Sequence, residues 1–128
     1  MPRQPAVPLT DGELRLMRVL WDRGEATVSD VREALEGRRK PAHNTVLTLL
    51  RILERKGIVR HVQAGRAYRF LPLVDRDGAR RLAVRALMAR FFDGSARDLA
   101  RNLVESGDLD VEQLRDLQRL ADGAHPAQ

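Results

Sequence analysis

A mostly α-helical chain with one small β-hairpin is the fold class that this sequence predicts, and three observations predict it. Six stretches repeat apolar residues at helical spacing, most of them opened by a capping residue or a proline. The period changes only around Gly65, where Ile58–Val62 and Tyr68–Leu71 read as two strands. Basic charge gathers in the same middle region. Residues 38–69 hold nine Lys and Arg against a single acid, Glu54.

Composition sets the outer bounds. The chain has 128 residues, 32% of them charged and 43% hydrophobic, which suits a folded globular protein of one domain or two very small ones. It has no cysteine, which excludes disulfides, thiolate metal sites and cysteine nucleophiles. Neither a membrane-length apolar run nor the apolar core of a signal peptide occurs, so a cytoplasmic location is expected. The net charge of +5 divides unevenly. Residues 1–74 carry 14 basic and 8 acidic groups, and residues 75–128 carry 9 and 10. Concentrated positive charge of this kind neutralises phosphates and steers a protein to nucleic acid.

In chain order, residues 1–8 hold three prolines and read as a frayed arm whose Arg3 is its one charge. Thr10 and Glu13 have capping-box spacing, and a first helix follows through Leu14, Met17, Leu20 and Trp21 to a stop at Gly24. Thr27-Val28 reads as a short extended link. Ser29 then caps a second helix, Asp30 to Glu36, with Val31, Ala34 and Leu35 inward. Gly37-Arg38-Arg39-Lys40-Pro41 is a basic turn directed at phosphates. The third helix runs from Pro41 to Gly57. Val46, Leu49, Leu50 and Leu53 fall on one side, and Asn44, Thr48, Arg51 and Arg55 on the other. Short hydrogen-bonding groups near a helix N-terminus, with Arg further along, suit the DNA major groove. A short helix, a turn and a longer polar-tipped helix make a helix-turn-helix, and the hairpin behind it makes a wing with Arg66 near its tip. The predicted architecture is an N-terminal winged helix-turn-helix over residues 9–73, followed by a three-helix dimerisation region over 74–122 and a loose tail at 123–128.

The last three helices are expected at about Arg76 to Phe92, from Ser95, and from Asp110 with Gln113 in the capping-box place. They carry Leu82, Ala86, Ala89, Leu99, Leu103, Leu114, Leu117 and Leu120. Three helices over about 50 residues are too few to bury these groups unaided. Dimerisation through them is the simplest remedy, and a twofold pair of winged helices can read two half-sites.

Four segments, LTDGELRLMRVLW, NTVLTLLRILERKGIV, GRAYRFLP and FFDGSARDLARNLVES, together resemble the penicillinase repressors, the family of β-lactamase and methicillin-resistance repressors. The resemblance covers roughly Leu9 to Leu120. It implies a dimeric transcriptional repressor without cofactor or metal. The third helix would read operator bases through His43, Asn44, Thr45 and Thr48, while Arg51, Arg55 and Arg66 mainly contact phosphates. It also implies a membrane sensor-protease system as partner and a cleavage site in the second C-terminal helix. The corresponding bond is Asn102-Leu103, where Leu stands in place of the family's Phe. Leu47 likewise stands where some members have Arg, and the absence of Cys removes thiolate copper sensing.

Other uses of a winged helix are a ligand-sensing regulator and a protein-interaction module. A ligand pocket needs convergent polar groups, which the C-terminal segments do not supply. An interaction module has no need of one-sided charge at 38–69. Catalysis has no motif to stand on. The three histidines, His43, His61 and His125, form no zinc-protease pattern, and phosphate and dinucleotide loops are absent. Asp108, Asp110 and Glu112 lack the glycine and terminal glutamate of a calcium loop.

Overall fold

Helix α1, Asp11–Arg23, begins as its capping box dictates. Thr10 Oγ1 accepts from Glu13 N at 3.2 Å, and Glu13 Oε1 accepts from Thr10 N at 2.8 Å. Gly24 ends it at φ 84°, a conformation that costs a side-chain-bearing residue strain. The computed structural model describes residues 8–35 and 40–124. The expected arm therefore lies outside the described residues except for Pro8, as do Glu36, the expected end of the second helix, Gly37 to Arg39 of the basic turn, and residues 125–128 of the tail.

Helix α2, Val28–Ala34, starts two residues before the expected first helical residue, Asp30. Thr27, not Ser29, is the N-cap, and it forms a second capping box with Asp30. The Thr27 backbone N–H and hydroxyl hold the Asp30 carboxyl below the usual range, helped by Arg23 and Arg69. Helix α3, His43–Arg55, places Val46, Leu50 and Leu53 in the core. They pack with Leu16, Met17 and Leu20 of α1, Val28 and Val31 of α2, Ile58 just after α3, and Val59 and Phe70 of the hairpin. Leu14, expected inward, is only half-buried; Leu16 takes its place.

Strands β1, Val59–Ala64, and β2, Ala67–Pro72, pair antiparallel from Val59↔Pro72 to Ala64↔Ala67. The connection is tighter than the five residues expected from sequence. Only Gly65 and Arg66 lie outside the ladder, and Gly65 takes φ 66°. On the other edge of β2, Ala26 forms an isolated bridge, with Ala26 N to Phe70 O at 3.1 Å and Phe70 N to Ala26 O at 2.8 Å. The segment between α1 and α2 is thus a one-residue third strand.

Helix α4, Arg76–Phe91, straddles the division of the chain into two compact units, residues 1–86 and 87–128. Its beginning belongs to the first unit. Trp21 Nε1 donates to Val74 O at 2.8 Å, and Val74 and Leu82 pack against the core. Leu82, expected to serve dimerisation, is thereby engaged within its own chain. In the second unit, Ser95 caps α5, Ala96–Glu105, by accepting from Asp98 N at 3.0 Å. Asp110 and Gln113 form the expected reciprocal cap of α6, Val111–Ala124, which carries two residues past the expected start of the tail. Neither α5 nor α6 has a buried residue. No helix among the described residues is long and apolar enough to cross a membrane.

Candidate nucleic-acid interface

The outward face of α3 is set by its inward one. With Val46, Leu50 and Leu53 fixed in the core, helical geometry leaves His43, Asn44, Thr45, Thr48, Arg51 and Arg55 exposed, and all six are. The first turn carries no acid, and its cap position, Ala42, supplies no side-chain acceptor. The first N–H groups of α3 therefore suit an anion. One detail limits the chemistry at Thr48. Its Oγ1 donates to Asn44 O at 2.8 Å, so the hydroxyl proton is used on the helix itself. What Thr48 offers outward is an acceptor lone pair and a methyl group.

Two contacts position this helix. Arg32 Nε donates to Pro41 O at 2.9 Å, fixing the end of α2 to the residues just before α3. At the other end, Lys56 Nζ lies 2.7 Å from Glu13 Oε1. Glu13 is the one charged side chain in the core of the described residues, with 2% of it exposed. Burial pushes its carboxyl upward, but Lys56 and the Thr10 backbone N–H together outweigh that and hold it below the usual range. Neither positioning contact was foreseen. Glu13 lies 43 residues from its partner, and no local pattern announces such a pair.

Electrostatically the face is basic without compensation. Among the described residues no acid pairs with Arg51, Arg55, Arg60 or Arg66. Arg66 is exposed at the two-residue tip of the wing, and Arg60 is exposed on β1. Glu54, the lone acid of the basic stretch, is turned to the wing. Its Oε2 accepts from His61 N at 3.1 Å and lies 2.5 Å from His61 Nδ1. Lys40 is drawn the other way, to Glu33 at 3.5 Å across the exposed end of α2. Arg38 and Arg39 lie outside the described residues. Arg60, on the first strand of the wing, adds to the basic face though the sequence pattern alone does not single it out.

Of the residues proposed for dimerisation, Leu99 and Leu103 on α5 are half-buried, Ala86 is half-buried on α4, and Ala89 is exposed. Leu114, Leu117 and Leu120 stand 37%, 47% and 68% exposed along α6. Asn102 is exposed within α5 beside Leu103.

Similarity to known proteins bears on the whole chain. The chain is 24% identical over 112 residues to the penicillinase repressor of Bacillus licheniformis, covering 88% of each protein. It is 43% identical over 70 residues to the transcriptional regulator BlaI of Mycobacterium tuberculosis, spanning 54% of this chain and 51% of that one. Among solved structures, it superposes on the DNA-binding domain of the repressor BlaI with a TM-score of 0.51 and 27% identity, over 61% of this chain and 93% of that domain. The profile of the penicillinase repressors matches residues 9–123, and this chain, a winged helix followed by a helical C-terminal region, belongs to that family.

Proposed function

We propose that this protein is a sequence-specific transcriptional repressor that binds a palindromic operator as a homodimer. The observation that carries the reading is α3 itself, anchored in the core by three apolar residues and showing the solvent two uncompensated arginines behind a polar first turn. Asn44, Thr45, His43 and Thr48 read base edges; Arg51, Arg55 and Arg66 contact phosphates, and Lys40 joins them when it leaves Glu33. The bare apolar stripe of α6 supports the dimer, and the relatives named as repressors support the regulatory role. In the same reading a sensor-protease system relieves repression by cutting the Asn102-Leu103 bond. That bond lies inside α5, so the cut requires the helix to open locally.

The test is genome-wide binding of the purified protein to sheared DNA of its source at near-physiological salt. Sharp peaks over palindromic sites upstream of a sensor-protease or resistance gene are expected. Uniform weak binding that fades with salt would leave a basic surface without an operator.

Two substitutions separate the roles. Thr48→Ala removes the acceptor and the methyl, and it should reduce operator preference by on the order of 1–3 kcal/mol with non-specific affinity nearly intact. Competition against random DNA reads this directly, and an equal loss on every sequence excludes base reading. Arg66→Ala should weaken operator and random DNA alike and make the slope of log affinity against log salt shallower by about one. An unchanged slope would leave the wing tip as scaffold only.

A further inference from the structure

A groove of about 430 Å³ lies inside the first unit, between α1 and the early part of α4. Its volume falls in the range of small-molecule sites. Leu9, Leu14 and Trp21 give it an apolar wall. Ala79 and Ala83, about one turn apart on α4, bring only methyl groups and leave the space unfilled. Three arginines line it, Arg18, Arg76 and Arg80, against one acid, Asp22. That acid is already paired with Arg76, whose guanidinium lies 5.7 Å from the centre of the Trp21 ring. Arg80 reaches Asp77 at 3.4 Å, a weak exposed pair, and Arg18 has no acid partner among the described residues.

We propose that this groove binds a small organic anion, its carboxylate held by Arg18 and Arg80 and its compact apolar body laid between Trp21 and the two alanines. Charge selects this occupant over the alternatives. A cation would find no unpaired acid in the lining, whereas Arg18, which no acid pairs among the described residues, and the weakly held Arg80 can both meet a carboxylate. Residues 1–7, the segment leading to Leu9, bring Arg3 and no acid, so they do not complement the rim. The site does not touch the outward face of α3, and it stands or falls apart from the operator reading.

Trp21 is the only tryptophan, so its fluorescence reports on the groove without a label. The full chain is titrated, without DNA, with 4-tert-butylbenzoate and with the uncharged 4-tert-butylbenzamide, exciting at 295 nm. A saturable shift of Trp21 emission is expected for the benzoate, with half-saturation on the order of 0.1–1 mM for a ligand of this size. The amide and the Arg18→Gln variant should each require at least about tenfold more ligand, one lost charge-assisted contact. Ala83→Leu, which fills the groove, should abolish the response while retaining the helical circular dichroism. Should Ala83→Leu unfold, the exposed Arg18→Gln still decides. No saturable response, or equal binding of benzoate and amide, overturns the proposal, as does wild-type affinity in Arg18→Gln.

Discussion

Leu117→Glu is expected to yield a folded monomer in place of a dimer, and with it an operator affinity lower by two or more orders of magnitude. The residue stands in the α6 stripe with Leu114 and Leu120, and all three are only partly covered by their own chain. Covering the exposed part of side chains of this type contributes on the order of 1 kcal/mol each, which a carboxylate at the centre reverses, because a charge in an apolar contact carries a desolvation cost. The operator loss follows from geometry, not from α3, whose residues are untouched. Two linked half-sites bind about 10²–10⁴-fold more tightly than one. Sedimentation velocity reads the mass, and binding to a single half-site should stay unchanged. A variant that remains dimeric and folded would place the interface elsewhere.

The second large effect is on stability. Lys56→Ala strands Glu13, whose carboxylate is nearly enclosed and keeps only the Thr10 cap as a donor. Removing one partner of a buried pair costs about 3–5 kcal/mol. With the cap remaining, about 2–3 kcal/mol is expected, a fall in Tm on the order of 10–20 °C for a unit of this size. The sign of the pH response separates this from a packing loss. In the native chain the Glu13 carboxyl sits below its ordinary value, so its contribution is complete above about pH 4.3 and disappears as pH falls through the lowered value. Without Lys56 the ammonium's two lowering contributions are gone and the carboxyl rises from its lowered value. Protonation then comes at a higher pH in the variant than in the native chain, so the stability gap between them should narrow as pH falls through the carboxylate range. Pairing Lys56→Ala with Glu13→Gln should recover most of the loss. A gap that is constant with pH would show that the ammonium matters only for packing.

What the sequence made legible was local. Thr10 with Glu13, Ser95 with Asp98 and Asp110 with Gln113 sit three residues apart, and each cap formed at its expected place. Thr27 and Asp30 have the same spacing. Sequence alone reads Thr27-Val28 as an extended link, whereas Val28 closes the core from the first turn of α2. The outward face of α3 was legible for the same reason, one period over thirteen residues. The misses are contacts between distant parts of the chain. Ala26 with Phe70, Trp21 with Val74 and Glu13 with Lys56 are set by the tertiary fold, and side-chain identity alone does not encode them. The α1–α4 groove belongs with these, since two alanines in a sequence do not announce a space.

The bridge between Ala26 and Phe70 has a consequence for how the wing can change over time. Both residues are almost fully enclosed, and each donates its amide to the other, so these protons should exchange with solvent only when the whole unit opens. Gly65 and Arg66, at the far end of the same strands, take no part in the ladder. The hairpin therefore has a base that cannot vary without loss of the fold and a tip where Gly65 is held to glycine by its φ of 66° while Arg66 can vary. A lineage can retune its grip on DNA at Arg66 with little risk to the fold.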